Sequence, residues 1–221
     1  MKFIDVIRET VRRVMRVVAR GLNRLTGGKL SPHAVTLVGL AAHFPIAWLI
    51  ASRHNLWAGI LLIIFGLFDT LDGELARLQG RASPVGMFLD SVTDRMKEII
   101  IYGGLLAAAL NATADCGGLV RSCVNTYYGY MVVLLVALGG SLLTSYINAW
   151  GEAVLRGSSS KTTGLNKIFR GGLGSFEIRM FLLVVGLLFG VLGFTVPLIA
   201  VLAWATVLNR MNRVIKELKG V

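Results

Sequence analysis

Apolar residues in this chain come in long stretches, and polar residues gather between them. Six stretches are long enough to cross a membrane as helices, which needs about 20 residues each. They run from Ala34 to Ala51, Trp57 to Arg77, Pro84 to Leu110, Tyr127 to Leu155, Glu177 to Leu192, and Pro197 into a polar tail by Lys216. Spans two, three and four are longer than that minimum, so their inner ends should project into the cytoplasm. The N-terminal segment has another pattern. Lys2, Arg8, Arg12, Arg13, Arg16, Arg20 and Arg24 stand among Phe3, Ile4, Val6, Ile7, Val11, Val14, Met15, Val17 and Val18. Their three- and four-residue steps predict an amphipathic helix lying in the membrane surface. No apolar core with a cleavage site precedes the first span, so no signal peptide is expected. The pattern gives one domain over residues 1–221: a juxtamembrane helix over 1–28 and a six-helix bundle over 33–217.

Composition agrees with an all-α integral membrane protein. Of 221 residues, 55% are hydrophobic and 16% charged, and mean hydropathy is +0.69. A soluble domain would be about one-quarter charged. The formal net charge is +11 and the pI about 10.3. These charges flank the apolar spans and form no aromatic-studded patch, so they imply anionic membrane lipid as partner and exclude nucleic acid. They also set the orientation. With the N-terminus inside, the inner segments 1–32, 77–83, 156–179 and 210–221 hold 8, 2, 5 and 4 Lys and Arg residues. The outer loops hold Arg53 and Arg121, and Arg95 and Lys97 lie within span three. Both termini are therefore expected in the cytoplasm. Cys116 and Cys123 share an outer loop, where a disulfide or two thiols are both open readings. Gly186 and Gly190 have the spacing of a helix-packing face. His43, inside span one, reads as a packed or hydrogen-bonded core residue, and His54 carries no hypothesis.

The chemistry concentrates in four aspartates. Asp69 and Asp72 are three residues apart, and Asp90 and Asp94 four apart, so each pair shares a helix face. The short connection from Leu78 to Ser83 makes the two helices antiparallel neighbours. All four carboxylates then reach similar depth near the cytoplasmic face. An isolated ionised carboxylate in hydrocarbon costs a few kcal/mol even on the mild insertion scale, and four together repel. A hard divalent cation resolves both problems, because it takes carboxylate oxygens. Gly73, Ala76 and Gly86 continue the acidic faces with almost no side chain, which lets a phosphate-bearing ligand approach the backbone. Arg77 and Arg81 stand at the mouth as phosphate binders. A structural Asp–Arg cluster and a divalent-cation transporter are the competing readings.

The run Asp69-Thr-Leu-Asp72-Gly73-Glu-Leu-Ala76-Arg77, eight residues, then Gly86-Met-Phe-Leu-Asp90-Ser-Val-Thr-Asp94 resembles the signature of the CDP-alcohol phosphotransferases. All eight fixed positions over 26 residues match. The Ser31-Pro32-His33-Ala-Val-Thr36 approach to span one is similar to the family's too, with His33 where Asn is usual. The resemblance implies an enzyme in which an acceptor hydroxyl attacks the β-phosphorus of a CDP-linked alcohol of lipid type, and CMP leaves. It implies that Asp69, Asp72, Asp90 and Asp94 hold Mg2+, with Mn2+ as a substitute, and that Asp94 is also the general base. It implies nucleotide contacts from Asp69, Asp72, Gly73, Ala76, Arg77 and Gly86, with Pro32, Thr36 and Arg81 beside them. It further implies a homodimer in the cell membrane with its active site facing the cytoplasm.

The acceptor is less directly written. Asp90-Ser-Val-Thr-Asp94-Arg95 resembles the branch that uses inositol phosphate, the phosphatidylinositol-phosphate and archaetidylinositol-phosphate synthases. Ser145-Tyr-Ile-Asn148-Ala-Trp150-Gly-Glu152 is similar to that branch's Ser-Tyr-x-Lys-Ala-Arg-Ala-Glu, with Asn148 and Trp150 replacing the Lys and Arg. Gly174-Ser-Phe-Glu177-Ile-Arg179 resembles its Gly-x-x-Glu-Arg segment. These likenesses imply a small phosphorylated polyol as acceptor. Asn148 stands where the branch has its phosphate-holding Lys, and Arg156, Arg170 and Arg179, with Lys161 and Lys167, lie in or beside the third cytoplasmic loop as the cations to compensate for that Lys. Glycerol 3-phosphate, serine and a soluble inositol are the alternatives.

Overall fold

The computed structural model describes residues 2–115, 121–158 and 174–219. The elements in them are eight α-helices: α1 Lys2–Leu25, α2 Pro32–Ala51, α3 Asn55–Gly66, α4 Phe68–Leu78, α5 Pro84–Asp115, α6 Arg121–Ser158, α7 Phe176–Phe189 and α8 Leu192–Lys219. The chain divides into two compact units, Met1–Gly104 and Leu105–Val221.

In the first unit, local chemistry sets the helix ends. Helix α1 stops where Gly27 and Gly28 take left-handed φ values of 58° and 75°, a conformation that costs glycine nothing. Ser31 in extended geometry and Pro32 in the first turn open α2, because proline lacks an N–H that would be orphaned there anyway. The expected second span is two helices. At Gly66 the backbone tightens to i→i+3 bonds, Leu67 N to Ile64 O (3.3 Å) and Thr70 N to Leu67 O (3.1 Å). A glycine next to a short 3₁₀ turn is a common cause of a helix break. The motif residues thus sit on their own short helix, α4.

Helix α1 packs on α4 through Ala19, Leu71 and Leu75, joined by Val35 of α2, with Met15, Leu22, Leu30 and Phe68 around them. Val6, Val14, Val17 and Val18 on the same helix remain exposed, as an interfacial helix requires. Gln79 at the end of α4 donates to Asn23 Oδ1 (2.8 Å) and to the Leu30 carbonyl (2.9 Å). Helices α2 and α5 come close at Gly104, where a Cβ would lie 2.6 Å from the Ala47 carbonyl oxygen. His43 is buried and its Nδ1 is 2.7 Å from the Gly39 carbonyl, the hydrogen-bonded core role expected of it.

In the second unit α6 packs on α8. Gly140 faces Trp204, whose indole N–H donates to the Val136 carbonyl at 3.0 Å. Gly186 and Gly190 do different jobs. Gly186 packs against Thr195, whereas Gly190 closes α7 with φ 68° and no neighbour within 4 Å of a would-be Cβ. That cap ends α7 at Phe189, so Leu192, expected as the end of span five, opens α8 instead. Cys123 is disulfide-bonded, and Cys116 lies outside the described residues.

Among the described residues, four stretches are long and apolar enough to cross a membrane: Pro32–Ala51, Asn55–Leu78, Asn125–Leu155 and Leu192–Lys219. Large apolar side chains such as Trp48, Phe181 and Phe194 stand 67%, 65% and 85% exposed. Water would not tolerate so much exposed apolar surface, but lipid does. The other two expected spans are helical but fall short of that standard. Helix α5 carries Asp90, Asp94, Arg95, Lys97 and Glu98 in its first half and polar Asn111, Thr113 and Asp115 at its end. Helix α7 has 14 residues.

Candidate active site and metal centre

Asp69 and Asp72 occupy one face of α4, and Asp90 and Asp94 one face of α5. Both helices belong to the first unit up to Gly104. One carboxylate oxygen from each of Asp69, Asp72 and Asp90 lies within 4.8 Å of the others. Three oxygens at that spacing match what a hard divalent cation binds. Asp90 Oδ1 is buried without a hydrogen bond. A buried acceptor left bare costs about 1–3 kcal/mol, and a cation in the triad would satisfy it. The residues therefore fit a divalent metal. Asp94 stands outside the triad, and its Oδ1 is 3.6 Å from Lys97 Nζ.

Neighbouring side chains hold the acids in place. Thr36, buried on α2, has its hydroxyl 2.5 Å from Asp72 Oδ2 and 3.2 Å from the Pro32 carbonyl. It has one proton to donate, and the carboxylate is the nearer and stronger acceptor. Lys97, 4% exposed, is ion-paired with Asp69. Arg95 donates to buried Glu98 at 2.7 Å and lies 3.9 Å from Asp94. Glu74 accepts from Arg77 at 2.8 Å and from Arg16 at 3.3 Å, which ties α1 to the motif helix. Lys97 and Glu74 were not among the residues the sequence singled out. The signal was there for Lys97, at positions +3 from Asp94 and +7 from Asp90, on the same α5 face.

Above the triad is a pocket of about 200 Å³. Asp72 and Asp90 line it together with Arg77 and Arg81. Gly73, Ala76 and Gly86 leave the backbone accessible between them, and Pro32 and Thr36 complete the α2 side. Nearly all the nucleotide-contact residues expected from the sequence thus converge on one cavity. Ser31, His33 and Ser83 join them; Ser83 Oγ accepts from the Gly86 N–H at 3.1 Å. A cavity lined by both carboxylates and arginines suits a metal-bound phosphate ligand.

The sequence model of the CDP-alcohol phosphatidyltransferases matches residues 29–211. The chain belongs to that family. The transferase is 29% identical to the archaetidylinositol phosphate synthase of Pyrococcus horikoshii over 190 residues, covering 86% of each chain. It is 30% identical to the phosphatidylinositol phosphate synthase of Corynebacterium glutamicum over 192 residues, 86% of this chain and 77% of that one. Among solved structures it resembles the Mycobacterium tuberculosis phosphatidylinositol phosphate synthase in complex with manganese and citrate. The TM-score is 0.68 at 26% identity, covering 91% of this chain and 88% of that one. The same enzyme with CDP-DAG bound matches with TM-score 0.63 at 25% identity, over 94% and 92% of the two chains. Membership makes the chain an enzyme.

Of the transferase's expected acceptor residues, Asn148 and Arg179 are described, both in the second unit. Arg179 is fully buried and donates to the Gly174 carbonyl. Asn148 Oδ1 accepts from Arg210 at 2.7 Å, and Arg210 also reaches the Thr144 carbonyl at 3.2 Å. Arg179 and Glu177 lie within electrostatic range of Arg210. Arg210 is thus a buried cation beside Asn148, where the sequence alone marks it only as one of the inner-segment charges. Arg170 lies outside the described residues, as does the side chain of Arg156.

Proposed function

We propose that this transferase moves a phosphatidyl-type group from a CDP-linked lipid to a hydroxyl of inositol phosphate, releasing CMP. The reaction takes place at the cytoplasmic face of the cell membrane, as a step of phospholipid biosynthesis. The observation that carries the reading is the shared pocket of Asp72, Asp90, Arg77 and Arg81 beside the Asp69–Asp72–Asp90 triad. Relatives that make inositol phosphate lipids, matched over most of the chain, support the acceptor.

In this reading Asp69, Asp72 and Asp90 would hold Mg2+ or Mn2+, with Asp94 as a further ligand. The ion, when bound, neutralises charge on the leaving phosphate and favours in-line displacement. Arg77 and Arg81 bind phosphate oxygens of the CDP group. Gly73, Ala76 and Gly86 admit the nucleotide against the backbone, with Pro32 and Thr36 opposite. Asp94 takes the proton of the attacking hydroxyl as general base. Asn148, Arg156, Arg170 and Arg179 bind the acceptor phosphate, and Arg210 keeps Asn148 in position. The active protein is a homodimer whose apolar faces meet lipid and partner.

The test is radiolabelled CMP release in membranes carrying the protein. CDP-diacylglycerol and its ether-lipid analogue serve as donors, and inositol phosphate, glycerol 3-phosphate, serine and inositol as acceptors. Release with inositol phosphate that stops in EDTA is expected. Faster release with another acceptor would replace the acceptor assignment, and release indifferent to metal would sink the mechanism.

A further inference from the structure

The acidic cage contains a cation of its own. Lys97 is 4% exposed, and lysine is almost never that buried without a partner. Its ammonium is paired with Asp69 and lies 3.6 Å from Asp94 Oδ1. Asp69 is at the same time a member of the triad with Asp72 and Asp90. A carboxylate has two oxygens and about four acceptor directions, so Asp69 serves both neighbours. The cage is thereby divided. One side is a three-oxygen cluster open to a divalent ion, and the other is a carboxylate pair closed by an ammonium.

The other charged groups nearby do not fill the second role. Arg95 donates to Glu98 at 2.7 Å and only approaches Asp94 at 3.9 Å. Arg77 and Arg16 are engaged with Glu74. Helical spacing places Lys97 one turn beyond Asp94 on the same face, so its position follows from α5 itself and not from a mobile loop.

We propose that Lys97 is a built-in counter-ion occupying the position between Asp69 and Asp94, so that the cage takes one divalent ion per chain and no second. Lys97 is a positioning residue: it holds Asp69 and Asp94 together with or without metal. The proposal rests on the triad binding metal, and it is independent of which acceptor the enzyme uses.

Counting bound Mn2+ tests it, using the EPR signal of the unbound ion and the full-length protein in detergent micelles. Wild type should bind one Mn2+ per chain, and Asp72→Asn should lose it. Lys97→Gln should bind two, and its melting temperature should become strongly dependent on Mn2+. Lys97→Arg, which keeps the charge, should stay at one ion. Two ions in wild type, or one in Lys97→Gln with wild-type affinity and melting behaviour, would overturn the proposal. Should Lys97→Gln not fold, the wild-type and Lys97→Arg counts decide alone: one ion in each supports the proposal and two in either overturns it. One Mn2+ per chain without CMP release would leave this proposal standing and refute the reaction above.

Discussion

Thr36→Val isolates one hydrogen bond at the centre of the site. Threonine and valine have nearly the same shape, so the change opens no cavity, yet it removes the hydroxyl that lies 2.5 Å from Asp72 Oδ2. Both residues are buried, at 7% and 6% exposure, so water does not readily replace the lost donor. A hydrogen bond to a charged group contributes about 1.5–3 kcal/mol. Much of that serves orientation: Asp72 is presented to the triad with one oxygen held by Thr36 and the other available for metal. Removing such an outer partner of a metal ligand typically costs about 10–100-fold in affinity or activity. At about 1.4 kcal/mol per factor of ten, that range is about 1.4–2.8 kcal/mol, in agreement with the hydrogen-bond figure.

The expectation is therefore a 10–100-fold weaker Mn2+ midpoint in CMP release for Thr36→Val, with much of the loss recovered at saturating metal. Thr36→Ser restores the hydroxyl and should return to within a few-fold of wild type. Direct Mn2+ binding by EPR should shift in parallel with activity. A valine variant with the wild-type metal midpoint would refute the argument, because Asp72 would then be oriented by the backbone alone. A serine variant as impaired as valine would show that the lost methyl contact, and not the hydroxyl, matters.

Asp94→Asn should abolish CMP release while CDP-lipid binding, followed by displacement of a fluorescent nucleotide lipid, stays within a few-fold, since Asp94 lies outside the triad; full activity would remove its role as base. Chelation with EDTA should stop turnover and restoring Mg2+ or Mn2+ should recover it, as the three clustered carboxylates require. Gly104→Val puts a Cβ about where the Ala47 carbonyl oxygen leaves it no room, 2.6 Å away. Overpacking of this kind costs about 1–3 kcal/mol, read as a lower melting temperature in detergent with the metal midpoint unchanged.

The parts of the site legible from sequence are those that depend on spacing alone. Asp69 with Asp72, and Asp90 with Asp94, share faces because a helix has 3.6 residues per turn, and the short loop between them brings the faces together. What spacing could not give is the partner each carboxylate takes. The four acids look equivalent in the chain, yet Asp72 turns to Thr36, 36 residues away, and Asp69 to Lys97, 28 residues away. The glycines teach the same lesson. Gly186 and Gly190 have one spacing and two functions, because the second happens to stand where α7 ends. Span two also hid its break, since Gly66 is ordinary in a membrane helix and only the change to i→i+3 bonding marks it.

Burying charge in this fold has one consistent solution, and it bears on how the site works. Each buried acid of the first unit is matched locally: Glu98 by Arg95, Glu74 by Arg16 and Arg77, Asp69 by Lys97, and Asp72 by the Thr36 hydroxyl. Asp90 and Asp94 depart from this pattern, because an Oδ1 of each is buried and makes no hydrogen bond, and of the two only Asp90 lacks a cation within 4 Å among the described residues. A buried acceptor that costs about 1–3 kcal/mol when bare persists where another function needs it bare. That oxygen belongs to the residue that joins the triad and also lines the pocket. Among the described buried acids of the first unit, the oxygen left with neither hydrogen bond nor nearby cation is thus at the point where metal and phosphate are to meet. Asp90→Asn would supply a donor that the site lacks and remove a charge it uses. It should stabilise the metal-depleted protein in a thermal melt while eliminating turnover. An Asp90→Asn variant that melted lower than wild type in EDTA would show that the bare oxygen is a packing accident and not a reserved ligand.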